Sequence, residues 1–379
     1  MSSLKYIAIL GRQPELGLME LESVLGARGV EPFGRTAAFM SEAVHIDRLG
    51  GAVKVAEVLH QGPLTDLRQL PLDLRSLRPN RGKTTFALSV YGTRDTPKTV
   101  LAAGLELKKK LRALGEGTVR LVKAGKGTAV SSAELYHNKV IAEGFELLVI
   151  ASGKDMVVAR TLGVQDIDWY SRRDYERPAR SAKVGMLPPK LAQILVNSTS
   201  AEALYDPFCG TGVVLQEARL IGRSASGSDL SEEMVAATET NMPWLDAQVA
   251  APLPAWSVKL ADARQVKLPA GVAVVSEGYL GPNLSEPPNQ KTLAEIKREM
   301  LDLYVKTLAN FAAQLPTGGE VSMCAPAWHI GKDWHYLGII DELPRLGYTL
   351  RSFEHVRTPL LYAREDQVVG RQLLLLRKN

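Results

Sequence analysis

Cysteine is nearly missing from this sequence. Its 379 residues include only Cys209 and Cys324, which form neither a disulfide framework nor a metal-ligand spacing. No metal is expected, and a reduced, cytoplasmic setting is the expectation. Long apolar runs are missing too. Nothing approaches the roughly 20 residues of a membrane helix, and residues 1–10 are too weakly apolar for a signal peptide. Charge of one sign is also lacking. Lys and Arg number 46 against 41 Asp and Glu, a net +5. That mild excess permits a polyanionic partner without requiring one. There are no internal repeats and no low-complexity tract. What remains is an ordinary globular mixture, 45% hydrophobic and 23% charged, long enough for two or three domains with real cores.

The first half alternates strands and helices without a parallel-sheet rhythm. Residues 6–10 read as a strand. Residues 16–25 read as a helix with Leu18, Leu21 and Leu25 at helical spacing. Short strands are predicted at 37–40 and 43–46, and a helix passing into a strand at 50–60. A first α+β unit over residues 1–65 follows. Residues 84–91 alternate as a strand, and 99–114 form a helix that Gly115 is placed to end. Further predictions are a strand at 119–122, a short helical segment at 131–141 and a hairpin from 145–150 and 156–162. These make a second α+β unit over residues 66–165. Residues 166–187 read as a linker, crowded with Arg172, Arg173, Arg177, Arg180 and Lys183 and interleaved with Tyr170 and Tyr175.

From residue 188 to 379 the rhythm becomes strand, helix, strand, the signature of a parallel sheet with crossover helices. The fold class is α/β, with a C-terminal doubly wound, Rossmann-like domain behind an N-terminal α+β region. The strand at 203–205 runs into Asp206-Pro207-Phe208-Cys209-Gly210-Thr211-Gly212 and then a helix. Gly210 and Gly212 let the backbone turn sharply and approach a ligand, and the helix start presents free N–H groups. Two glycines alone also fit an ordinary turn. Two later acids narrow the reading. Asp229 ends the next strand, where an acid grips ribose hydroxyls. Asp262 ends the one after, placed to accept from an adenine amine.

The Asp206–Gly212 string resembles the S-adenosylmethionine-binding loop of the THUMP-domain RNA methyltransferases, most of all the tRNA guanosine N2-methyltransferases. The approach Arg173-Asp174-Tyr175 through Pro188-Pro189-Lys190-Leu191-Ala192 is also similar to that family. The resemblance covers residues 170–325. It implies a class I methyltransferase domain with S-adenosyl-L-methionine held by Asp206, Phe208, Gly210, Gly212, Asp229 and Asp262. It also implies a ferredoxin-like domain and a THUMP-like module at the N-terminus, and RNA, tRNA above all, as partner. The family's Asp-Pro-Pro-Tyr-Gly stretch orients an exocyclic amine and stacks on its base. Here Ser276-Glu277-Gly278-Tyr279-Leu280-Gly281 stands in its place. By that alignment Glu277 accepts from the amine and Tyr279 stacks, without the rigid prolines.

On the nucleic-acid side, Lys108 and Lys109 lie on a basic helix face, and Arg172, Arg173 and Arg177 are candidates for phosphate contact. His137, His329 and His335 read as structural, and Trp328 and Trp334 as core. Three functions stay open: an RNA methyltransferase acting on guanosine in tRNA, a DNA amino-methyltransferase with the same chemistry, and an RNA-binding protein that keeps the cofactor fold without catalysis.

Overall fold

Side chains that alternate across a pleated sheet organise the first half of the chain. The computed structural model describes residues 4–77, 82–115, 117–180, 187–364 and 367–379, so Lys183 lies outside the described residues. The described chain forms two compact units, residues 1–170 and 171–379. In the first, the elements are β1 (Tyr6–Leu10), α1 (Pro14–Leu25), β2 (Val30–Phe33), β3 (Ala37–Met40), β4 (Ala52–Pro63), β5 (Thr84–Tyr91), α2 (Pro97–Ala113), β6 (Val119–Val122), α3 (Ser132–His137), β7 (Gly144–Ser152) and β8 (Asp155–Val164). Helix α4 (Ile167–Tyr175) follows.

The eight strands form one sheet in the order β2-β3-β1-β4-β8-β7-β5-β6. Along β1, Ala8 and Leu10 pack with Leu21 of α1, while Ile7 and Ile9 join Leu148 and Ile150 of β7. Leu147 and Val149 join Leu107 and Leu111 of α2 instead. Each strand thus feeds two cores by its two-residue period. Thr96 caps α2 by accepting from Thr99 N–H, within a reciprocal capping box.

Residues 50–60, which suggest a helix passing into a strand, lie mostly in β4. Register shifts between Val55 and Ala56 and between Val58 and His60 break the alternation that would reveal it. Residues 43–46 form no strand; Ile46 instead starts a short 3₁₀ turn and is buried in the core beside α1. β4 pairs with β8 from Lys54 to Pro63, so one sheet runs through both of the segments that the sequence divides at residue 65.

The second unit holds α5 (Pro189–Asn197), β9 (Ala203–Asp206), α6 (Val213–Leu220), β10 (Ser224–Asp229), α7 (Glu232–Gln248), β11 (Trp256–Leu260), β12 (Val272–Ser276), α8 (Gln290–Ala312), β13 (Glu320–Ile330), β14 (Asp333–Tyr336), β15 (Tyr348–Leu350), β16 (Leu360–Tyr362) and β17 (Val369–Lys378). Its sheet order is β11-β10-β9-β12-β13-β17-β15. The first five strands are parallel, and β17 runs antiparallel beside β13. Tyr304, Leu308 and Phe311 of α8 pack with Val274 of β12 and Met323 of β13 on one face. Ser231 caps α7 by accepting from Met234 N–H. This is a doubly wound α/β sheet whose order reverses at β9 and β12. In such sheets ligands bind at the carboxyl ends of the strands beside the reversal.

One polar cluster sits inside the first sheet. Lys54 of β4 and Glu146 of β7 are both fully buried and meet at 2.6 Å. Lys54 also donates to Val130 O at 2.7 Å, and Glu146 accepts from the hydroxyls of Ser89 and Thr161. Each charge is matched and hydrogen-bonded, the condition under which a buried pair is tolerated. Lys54→Met leaves the carboxylate without its cation and is expected to destabilise this unit by about 3–5 kcal/mol. Lys54→Met/Glu146→Gln should lose much less. Urea denaturation of the full chain, followed by circular dichroism, measures both; equal losses in the single and double variants would refute the coupling.

Candidate active site

A cleft of about 630 Å³ opens at the carboxyl ends of the parallel strands. Its wall brings together Asp206, Phe208, Gly210, Asp229, Asp262, Glu277 and Tyr279. Asp206 and Tyr279 are 73 residues apart in sequence, and the parallel register makes these stretches neighbours. Gly212 is not on the wall. It starts α6 with φ +83°, and a Cβ there would meet Thr238 Cγ2 at 3.0 Å. Gly212 therefore lets α7 pack against the loop. A Cβ on Gly210, φ +51°, would meet nothing within 4 Å, so the loop leaves open space there.

Asp206 ends β9 and is almost wholly buried. Its Oδ1 accepts from Phe208 N–H at 3.0 Å, and Ser276 at the end of β12 also hydrogen-bonds to it. Burial pushes its pKa up to about 7 against those bonds, and the nearby Asp229 and Glu277 add to the rise. Asp229 ends β10. One of its oxygens accepts from Gly210 N–H at 2.9 Å and the other from Ser231 N–H at 3.0 Å. The acid at the end of the second strand thus holds the glycine loop and the start of α7 together. Asp262 follows β11, and Arg264 grips it with Nη2 at 2.6 Å from Oδ2. The hydrogen bonds from Arg264 hold its pKa below the usual carboxylate range. Arg264 also lines the cleft. The sequence reading passed over it, although its spacing of two residues from Asp262 is a local signal.

Glu277 follows β12. Its Oε1 accepts from Arg371 Nε at 2.6 Å, with side-chain exposures of 15% and 5%. Burial raises the Glu277 pKa and the guanidinium opposes the rise. Burial works against the charge on Arg371, but Glu277 outweighs it and the Arg371 pKa is raised. No sequence motif marks Arg371. It lies 94 residues further on, on β17, opposite Pro326 of β13. Gly278 adopts φ +71°, and a Cβ there would lie 2.4 Å from the Tyr304 hydroxyl. That hydroxyl approaches Tyr279 O at 3.0 Å and Cys324 O at 2.8 Å, fixing the loop to α8 and β13. The Tyr279 side chain is left 47% exposed at the cleft.

The basic candidates divide. Arg173 and Arg177 are not surface cations. They are 3% and 2% exposed. Arg173 makes a two-bond pair with Glu217 of α6, at 2.7 and 3.3 Å. Arg177 donates to Thr211 Oγ1 at 3.2 Å, and its pKa is lowered by burial. Asn241 of α7 bonds to Ala179 N–H and to the carbonyls of Ala179 and Thr211. The segment that the sequence gives to the linker is thus pinned to the glycine loop. Arg173 and Arg177 build the site from inside it. Arg172 stays at the surface, paired with Glu176 at 3.5 Å and with Gln248. Lys109 is exposed beside Glu106, and Lys108 is half-buried.

Residues 177–327 match the family described as the RMKL-like methyltransferase domain. The second unit has the class I methyltransferase fold. The crystal structure of TrmN from Thermus thermophilus matches 99% of each chain with a TM-score of 0.52 at 19% identity, and that of SMU.472 complexed with SAH matches with 0.51 at 13%, over 100% of this chain and 99% of that one. Among curated proteins, the tRNA (guanine(10)-N2)-dimethyltransferase of Methanothermobacter thermautotrophicus is 28% identical over 193 residues, 49% of this chain and 50% of that protein. The chain spans half or less of the length of the curated relatives it matches here.

Burial of Asp206 couples stability to pH. Its folded-state pKa of about 7 lies above the ordinary 3.8. It therefore contributes stability below pH 3.8 that is lost as pH rises to about 7. A shift of that size corresponds to a few kcal/mol. Asp206→Asn should raise the ligand-free melting temperature at pH 8 by roughly 5–10 °C, with the gain disappearing towards pH 4. A melting temperature that is unchanged or lower at pH 8 would refute this account.

Proposed function

We propose that this protein is an S-adenosylmethionine-dependent RNA methyltransferase that modifies the exocyclic amine of guanosine in tRNA. The observation that carries this is the Glu277 carboxylate on the wall of the cleft, with the exposed Tyr279 lining the same cleft. The names of the curated relative and of the SAH-bound neighbour agree with it.

The donor set fits the cofactor. Asp229 stands where ribose hydroxyls are gripped in doubly wound sheets. Asp262 offers acceptor sites towards an adenine amine beyond those taken by Arg264, since a carboxylate has about four. The open space beside Gly210 admits the ligand against the loop backbone. Asp206, ionised in part near neutral pH, offers that end of the cleft an acid that suits a cationic sulfonium or ammonium. When bound, the cofactor supplies an electrophilic methyl group.

The protein's own contribution is placement. Oε2 of Glu277 takes no hydrogen bond among the described residues and is available to accept one from an amine hydrogen. That contact turns the nitrogen lone pair out of conjugation with the ring, and Tyr279 stacks on the base. Orientation of this kind accounts for most of the rate in such transfers. Glu277 must be ionised to accept, so activity should rise with pH through its raised pKa. A guanine inside a stem must leave its stack to reach the cleft. We assign the N-terminal unit, read as ferredoxin-like and THUMP-like, to docking the folded RNA by shape and phosphate contact. Lys108 and Lys109 are the cations of that unit proposed for this, and Arg172 is a phosphate candidate on the second unit. A cytoplasmic location agrees with such a substrate.

Transfer of tritium from labelled S-adenosylmethionine to bulk tRNA tests the proposal. Wild type should label tRNA, nucleoside analysis should return N2-methylated guanosine, and Glu277→Gln should lower the rate by about 100-fold. Label in duplex DNA but not tRNA would favour the DNA amino-methyltransferase. Cofactor binding without transfer to any nucleic acid would favour the non-catalytic reading.

A further inference from the structure

We infer that Arg371 is the positioning residue of the active site, holding the Glu277 carboxylate in the orientation that lets Oε2 accept from the target amine. The inference rests on the function proposed above. Its basis is a set of distances across three strands. Glu277 follows β12, β12 pairs with β13, and β13 pairs with β17. Arg371 therefore starts two strands away from the acid it holds, a gap of about 9–10 Å at ordinary strand spacing. It crosses that gap to place Nε 2.6 Å from Glu277 Oε1. A long side chain with a planar, directional donor suits this reach, and a bond at the inner oxygen fixes how the other oxygen is presented.

The bond is held from its other side as well. The Arg371 guanidinium lies 5.8 Å from the ring centre of Tyr362 on β16, which pairs with β17 through Tyr362 and Arg371 themselves. The antiparallel edge of the sheet thus supplies both the arginine and the ring beside it. Such a clamp replaces what rigid prolines would do for an acid in this loop. Gly278 and Tyr279 are freer residues, and without Arg371 the Glu277 side chain could rotate among its wells.

Charge matters with geometry. Among the described residues, the groups around Glu277 are Arg371 from β17, Asp206 from β9, Tyr304 from α8 and Cys324 from β13. Arg371 is the one cation among them. Removing it leaves a buried carboxyl facing another acid, so the Glu277 pKa should rise further. At a given pH, less of it would be ionised.

The test uses Arg371→Met and Arg371→Lys in the full-length protein. Glu277 is followed by carbon-13 NMR of its side-chain carboxyl, assigned by loss of the signal in Glu277→Gln. Arg371→Met should move the titration midpoint up and shift the acidic limb of the kcat–pH profile on tRNA the same way. Its kcat near neutral pH should fall by about 100-fold, with KM for S-adenosylmethionine unchanged. Arg371→Lys keeps the charge, so the midpoint should stay near that of wild type. Its kcat should still fall, because the fixed donor is lost. An unmoved midpoint and limb in Arg371→Met overturn the inference. If Arg371→Met does not melt cooperatively, Arg371→Lys decides alone: unchanged kcat overturns the inference, and lowered kcat at an unmoved midpoint supports it. If wild type labels no tRNA, the proposed function fails, while the carboxyl titration still shows whether Arg371 governs Glu277.

Discussion

Three acids stand at the ends of three adjacent parallel strands, and the second unit is arranged around keeping them there. β10, β9 and β12 lie side by side, so Asp229, Asp206 and Glu277 are brought close by a strand spacing of about 4.8 Å. Like charges at that range, in a partly dry cleft, repel strongly. Each acid is handled differently. Asp229 gives both oxygens to backbone N–H groups, Asp206 is pushed towards its neutral form, and Glu277 takes a cation.

That arrangement explains what the sequence makes legible. The strand ends at Asp206 and Asp229 and the glycine turn between them are local features, visible because the backbone geometry requires glycine and the periodicity marks each strand. Strands at residues 6–10, 84–91 and 119–122 stand in the structure with the predicted bounds. Arg371 is different. It lies just before the apolar run 373–376 of β17, and its meaning depends on β17 inserting antiparallel beside β13. No spacing within the chain encodes that insertion. Arg173 and Arg177 fail in the opposite sense. Their composition suggests a basic surface, and only the partners Glu217 and Thr211 reveal that they point inward.

The first unit follows the same rule in apolar surroundings. The sequence divides it at residue 65 because turn-forming residues and a change of rhythm fall there. The sheet ignores that division, since β4, which ends before it at Pro63, pairs with β8, which lies after it. Lys54 and Glu146 then join strands from either side of the division. A lysine in the middle of a strand pattern looks like a solvated face until a carboxylate appears opposite it, 92 residues later.

The altered loop after β12 is best understood as a different solution to one geometric demand. Gly278 has a positive φ that proline, fixed near −65°, cannot adopt. Its missing Cβ makes room for the Tyr304 hydroxyl, which ties the loop to two other elements. A proline pair stiffens a loop from within its own backbone. Here stiffness comes from outside: Tyr304 from α8 below, Ser276 from the strand before, which accepts from Gly278 N–H at 3.0 Å, and Arg371 from the sheet edge. The loop's departure from the proline pattern and the presence of these three ties are therefore one structural fact. A chain that kept glycine at 278 but lost Tyr304 or Arg371 would have the room for the turn without the means to hold the acid at its end.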